Sequence, residues 1–184
     1  MKVIEQPKEI PAGVLETKDL VYGKVGDREL KLDLYRPADR KKPAPCLVFI
    51  HGGGWSGGSR DVYKLYKGYV AATISYRLSG EAPFPAAVED CACAVRWLRA
   101  NASAHGIDPG RIAMLGGSAG GHLSMMVGYS GDGRTLERTG GNPDVSSRVD
   151  AVVNFYGPCD LTTDFAKKAG VVKKFLGGKS YDEA

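Results

Sequence analysis

Residues Ile112-Ala113-Met114-Leu115 run directly into Gly116-Gly117-Ser118-Ala119-Gly120, and a helical stretch from Ala119 to Tyr129 follows without a linker. A short apolar run is what a strand buried on both faces requires. A strand that becomes a helix within two or three residues needs a sharp bend with no room for side chains, hence the flanking glycines. Such a junction confines the chain to folds in which strands and helices alternate. The serine at the apex would stand at a helix N-terminus, where the backbone dipole favours developing negative charge. Alone, G-x-S-x-G is weak: with 25 Gly and 11 Ser in 184 residues, chance supplies roughly 0.2 matches. A glycine-rich turn that binds phosphate competes with a nucleophile turn as an account of this segment by itself.

The rest of the chain agrees with alternation. Apolar residues tend to alternate over Val14 to Tyr22 and Leu30 to Tyr35, with turn chemistry at Gly26-Asp27 between them, which predicts an antiparallel hairpin with Leu30, Leu32 and Leu34 on one face. A polar loop, Arg36 to Pro45, follows. Continuous apolar runs then recur at Cys46 to Ile50, Val70 to Ser75, Ile112 to Leu115 and Ala151 to Phe155. Between them, Ala86 to Ala104 places Val88, Cys91, Val95 and Leu98 on one helical face. Phe165 to Leu176 reads as a short helix ended by Gly177-Gly178. The expectation is an α/β fold: a mostly parallel sheet with an N-terminal antiparallel hairpin and helices on both faces, in one domain over residues 1–184.

His51-Gly52-Gly53-Gly54-Trp55 follows the first buried run. Consecutive glycines leave backbone amides free to converge on an oxyanion. Chance supplies about 0.007 HGGG matches in this composition, so the motif is specific in itself. Its place upstream of the serine turn is the order a serine hydrolase of alternating strands and helices uses.

With these residues in view, the chain resembles the hormone-sensitive-lipase-like branch of the α/β-hydrolases, near the carbohydrate (feruloyl or acetyl) esterases. The resemblance is carried by His51 to Trp55, Ser75-Tyr76-Arg77-Leu78, Pro85 with Asp90, Trp97-Leu98, Gly106-Ile107-Asp108-Pro109, Arg111-Ile112 and Gly117 to His122. It implies Ser118 as nucleophile and the amides of Gly53, Gly54 and Ala119 as oxyanion hole. It implies that Trp55 packs beside the acyl pocket and that His51 braces the glycine loop without acting as base. Asp108-Pro109 and Arg111 would be structural. The implied activity is a serine carboxylesterase acting on short acyl esters through an acyl-enzyme, with no metal and no organic cofactor. An amidase such as an arylformamidase shares the same machinery, and a non-catalytic binding module is the alternative outside enzymes.

The resemblance also implies what the sequence lacks. A serine esterase needs a histidine to take the serine proton and an acid to orient it, in the order serine, acid, histidine. The three histidines are His51, His105 and His122. None lies well beyond Ser118; His122, one turn along the same helix, is expected to face inward, and His105 to close the preceding helix. Acids do follow, at Asp132, Asp144, Asp150, Asp160, Asp164 and Asp182, with Asp160 expected in a loop or capping role. The segment from Trp55 to Gly68 is several residues shorter than the family's. The chain thus reads as an incomplete α/β-hydrolase domain whose C-terminal strand–helix units, with acid and histidine, are missing. One sheet edge would be uncovered, open to a second chain or self-association.

Composition sets the remaining bounds. A formal charge of +4 is mild, and its one dense run, Arg40-Lys41-Lys42, falls in a loop, which argues against nucleic acid. No run reaches the ~18 apolar residues of a membrane span. Met1 to Pro11 has no apolar signal core, which suits a cytoplasmic protein or an exported one whose signal was removed. The four cysteines, Cys46, Cys91, Cys93 and Cys159, contain no CxxC and are expected as buried free thiols.

Overall fold

The computed structural model describes residues 10–62, 68–130 and 138–179. Strand β1 (Val14–Val25) and strand β2 (Arg28–Pro37) form the expected hairpin, antiparallel, with Val25 opposite Arg28 across Gly26-Asp27. Gly26 takes a φ of +56° there. Leu30, Leu32 and Leu34 are all fully buried on one face. Two register shifts interrupt β1, between Thr17 and Leu20 and between Val21 and Gly23, so the hairpin twists over the sheet.

Strands β3 (Ala44–Ile50), β4 (Val70–Ile74), β5 (Ile107–Gly117) and β6 (Ala151–Phe155) complete a six-stranded sheet in the order β1-β2-β4-β3-β5-β6. The β3–β4, β3–β5 and β5–β6 pairs are parallel. This is the α/β-hydrolase arrangement, a mostly parallel sheet behind an antiparallel hairpin. From β3 the chain crosses one way to β4, and from β5 the other way to β6. The crevice beyond the carboxyl ends of β3 and β5 is therefore the topological switch point, where open α/β sheets place their ligands.

Strand residues divide between the faces with period two. Cys46, Val48 and Ile50 of β3 and Ile112 and Met114 of β5 enter the main core, while Leu47, Phe49 and Leu115 join a smaller cluster with Tyr35 and Ala71. Helix α1 (Ala86–Ala100) buries Val88, Cys91, Val95 and Leu98 completely in the main core. Each buried Val or Leu contributes about 1.5–3 kcal/mol. Helix α3 (Ala119–Tyr129) adds Leu123 and Val127 to the same core. Arg60, which opens a single 3-10 turn (Arg60–Val62), ion-pairs with Asp33 on the other face of the sheet.

Four expectations change in detail. The helix expected over 86–104 is interrupted at Asn101, and a short α2 (Ala102–His105) ends at Gly106 in the left-handed region. The helix expected over 165–176 is two pieces, α4 (Asp164–Lys168) and α5 (Gly170–Phe175), because Ala169 is extended (φ −75°, ψ 118°) and Gly170 is a poor helix former. Strand β6 is not buried on both faces: among the described residues it is the sheet edge, pairing only with β5, and Val153 and Phe155 are 44% and 51% exposed. Cys46, Cys91 and Cys93 are buried free thiols as expected, but Cys159, on the loop after β6, is exposed.

Candidate active site

Ser118 sits between β5 and α3 with φ 55° and ψ −125°, a conformation that costs a non-glycine residue about 1–3 kcal/mol. The surroundings hold it there. The Ser118 amide donates to the Phe155 carbonyl at 2.9 Å, and the Ser118 carbonyl accepts from the His122 amide at 3.1 Å. The first bond ties the serine to the β6 end and the second starts α3. Ala119 is buried at the first helical position, with its amide at the positive end of the helix dipole.

The HGGGW loop lies against this turn. A Cβ on Gly52 would fall 3.5 Å from Ser118 Cβ and 2.9 Å from the Gly117 carbonyl oxygen. Three successive residues then have positive φ: Gly53 (112°), Gly54 (58°) and Trp55 (54°). The Gly53 carbonyl accepts from the amides of Ser56 (3.1 Å) and Gly57 (3.0 Å), closing a tight turn. At Gly53 a side chain is excluded twice, by φ and by the Gly57 carbonyl oxygen 2.3 Å from where a Cβ would be. Trp55, 2% exposed, stacks on Phe175 of α5 at 4.5 Å and meets His122 edge-on at 5.2 Å. Val171 of α5 packs over Gly54.

His51 anchors the loop. Its Nδ1 lies 2.8 Å from the Gly52 carbonyl, which can only accept, so Nδ1 carries the proton. Its ring stacks on Tyr76 at 4.3 Å, and the buried Tyr76 hydroxyl donates to the His51 carbonyl at 2.9 Å. Tyr76 is held in turn by its neighbour Arg77, whose amide and guanidinium both bond Asp90 of α1. Burial raises the Asp90 carboxyl above its ordinary value, against the lowering effect of Arg77. Tyr76→Phe would leave a buried carbonyl without its partner. Its expected cost is about 1–2 kcal/mol, read from the urea midpoint.

None of the three histidines pairs with an acid among the described residues. His105 closes α2 beside Trp97, at the opposite end of the parallel strands from Ser118. His122 faces inward as expected, 6% exposed, its ring perpendicular to the stacked pair of Trp55 and Phe175. Asp160 caps its own loop, accepting from the Thr162 amide (2.8 Å) and hydroxyl (2.6 Å), and Asp150 accepts from the Ile112 amide at 2.9 Å. Asp164 lies in the first turn of α4. Asp132 and Asp182 lie outside the described residues, as does 63–67, the part of the segment read as short that leads into Gly68. Among the described residues no three His, Cys, Asp or Glu side chains are grouped to hold a metal, and no helix is long and apolar enough to cross a membrane.

Burial depresses the His122 imidazole to about 4 and lowers His51 as well. In the unfolded chain a histidine takes up its proton near pH 6.5. Stability from neutral His122 is therefore complete above pH 6.5 and is lost as pH falls toward 4. We expect a loss of about 2 kcal/mol between pH 7 and 4.5 from this group. Urea titrations of the native chain and His122→Asn across that window check it: the variant should show the shallower dependence, and parallel curves would remove His122 as the cause.

Sequence reasoning did not bring out Phe175 and Val171, which pack on the HGGGW loop from α5. Their only signal was an apolar pair in a segment whose direction relative to the site the sequence does not give. Comparison with known proteins agrees with the geometry. The BD-FAE family model matches residues 32–183. Esterase LipQ of Mycobacterium tuberculosis is 33% identical over 156 residues, covering 80% of this chain and 36% of LipQ. Esterase LipC of the same organism is 38% identical over 150 residues, covering 77% and 36%. A solved truncated form of a carbohydrate esterase from gut microbiota superposes with a TM-score of 0.77 at 25% identity, over 92% of this chain and 67% of that one. The chain thus spans about a third of the length of these curated relatives. It belongs to the BD-FAE family, within the α/β-hydrolase esterases.

Proposed function

We propose that this chain is the nucleophile-bearing portion of a serine carboxylic ester hydrolase. The observation that carries the reading is Ser118 held at positive φ against the glycine loop, at the sheet's switch point. In the proposed reaction Ser118 Oγ bonds the acyl carbon and gives its proton to a histidine. The amides of Gly53, Gly54 and Ala119 stabilise the tetrahedral oxyanion, the alcohol leaves with that proton, and water releases the acid from the acyl-enzyme. His51 braces the loop, its Nδ1 proton committed to Gly52. Trp55 forms the wall beside the acyl group. Short acyl esters are the proposed substrates, including those on carbohydrate, in keeping with the carbohydrate esterase it resembles.

The acid and the histidine are proposed to come from further polypeptide docked along the half-exposed edge of β6, the strand whose last residue, Phe155, anchors the Ser118 amide. Rapid quenching of the complete protein during turnover of p-nitrophenyl acetate should give an acetyl group on the peptide containing Ser118. Turnover with Ser118 unmodified and dispensable would sink the proposal.

A further inference from the structure

A cavity of about 220 Å³ opens at the end of the sheet away from Ser118. Its lining joins Arg36 at the end of β2, the loop residues Arg40, Lys41 and Lys42, Val70 at the start of β4 and His105 just before β5. We propose that this cavity binds one compact phosphate-class anion: inorganic phosphate, pyrophosphate or the phosphoryl group of a small soluble molecule. The site stands apart from the ester-hydrolase reading and does not rest on it.

The charge is the first observation. Four permanent cations meet at the cavity and no acid lines it; Asp39, the acid of the same loop, is outside the lining. Among the described residues no carboxylate pairs with Arg36, Lys41 or Lys42, whereas Arg28, Arg60, Arg77 and Arg111 each have one. The run Arg40-Lys41-Lys42 by itself is a solvated turn. The fold adds a half-buried guanidinium and an imidazole to it.

Arg36 is the second. Its Nε is buried and has no hydrogen-bond partner among the described residues. The guanidinium has thus given up water at that atom and received nothing in return. Because Nε is closed to solvent, an anion in the cavity answers the charge of the group as a whole and does not bond that nitrogen. The same unanswered charge reaches His105: burial and then Arg36 hold its imidazole below the ordinary value.

The cradle is also fixed before any ligand arrives. The Ala38 amide donates to the Gly13 carbonyl at 2.8 Å, and the Ala44 amide to the Gly106 carbonyl at 2.9 Å. Between them, Arg40 Nε donates to the Lys42 carbonyl at 3.0 Å and Nη1 to the Gly68 carbonyl. The loop is therefore pinned to the segments that enter β1, β4 and β5, and the cost of gathering like charges is met by the fold and not by the ligand. An arginine presents a planar fork and a lysine a point charge. A tetrahedral dianion has oxygens for both, and a carboxylate has neither the third oxygen nor the second charge. The volume equals that of about seven waters, which suits one or two phosphoryl groups and not an extended polymer.

Isothermal titration of the protein with inorganic pyrophosphate, at about 20 mM ionic strength so that screening is weak, should saturate at one anion per chain. Acetate should not bind. In saturating pyrophosphate the His105 ring should titrate about 0.5 pH unit or more higher by NMR, because an anion favours the imidazolium, while His51 and His122 stay in place. Lys41→Gln with Lys42→Gln, two exposed positions, should weaken binding at least tenfold. Lys173→Gln with Lys174→Gln on α5 removes the same charge elsewhere and should weaken it less than about twofold. Arg36→Gln should also weaken binding about tenfold and raise the His105 titration in the ligand-free protein. No saturable binding, an unmoved His105, or equal losses in the two lysine pairs would each overturn the site. Sedimentation with phosphatidylserine vesicles in the absence of pyrophosphate binding would overturn it as well, by assigning the patch to a bilayer surface. None of these outcomes bears on Ser118.

Discussion

Ser118→Ala is expected to reduce ester hydrolysis by the complete protein by about 10⁴-fold or more, with little change in stability. The substitution removes only the hydroxyl. Alanine meets the same resistance at φ 55° as serine, and the amide and carbonyl that tie the residue to Phe155 and His122 are backbone groups. Loss of activity would therefore report chemistry and not unfolding. What remains should be the residual ~10³–10⁴-fold over water that binding and an oxyanion hole alone sustain. Ser118→Gly sharpens the comparison. It should be equally inactive yet more stable by about 1 kcal/mol, because glycine takes positive φ without strain. The 184 residues alone hold no histidine paired with an acid among those described, so there the same substitution should change p-nitrophenyl acetate hydrolysis little. Full activity of the complete Ser118→Ala protein would end the serine-nucleophile proposal.

Much of this arrangement can be read from local sequence, because its signals are local. The strand–turn–helix at Ser118 needs an apolar run, two flanking glycines and a helix, all within 18 residues, and β5 and α3 form where those residues predict. The hairpin is equally local. What the sequence does not carry is the identity of neighbours. Ala151 to Phe155 has the composition of a central strand, but composition records what side chains prefer and not which element lies beyond them, and β6 stands at the edge. The helical period through Phe165 and Val172 runs across Ala169-Gly170, where the backbone breaks; the glycine was the available warning. The cavity beside Arg36 is less legible still. Its walls come from residues 36–38, 40–43, 70 and 105–106, three segments that meet only in the folded chain. Nothing in the run Arg40-Lys41-Lys42 signals that His105 lies beside it.

Gly120→Ala carries the largest expected loss of stability, about 3–5 kcal/mol, because the contact it creates is with backbone on a neighbouring strand. A Cβ at this position would lie 2.1 Å from the Ile50 carbonyl oxygen, 2.7 Å from the Ile50 carbonyl carbon and 2.8 Å from the His51 oxygen. None of these atoms ends a flexible side chain that could swing aside. They belong to the last residue of β3 and the first of the HGGGW loop, so relief requires α3 to move off β3. Helix propensity alone would favour alanine by about 1 kcal/mol, which fixes the sign of the competing effect and shows it is too small to win. The same displacement would carry Ala119 and Ser118 away from the loop that Gly52 brings within reach of them. Loss of stability and loss of activity should therefore appear together in the complete protein, whereas Ser118→Ala separates them. Urea unfolding gives the stability change directly. A Gly120→Ala protein as stable as the native one would mean that β3 and α3 do not approach as closely as the fold requires, and the placement of the glycine loop against Ser118 would fall with it.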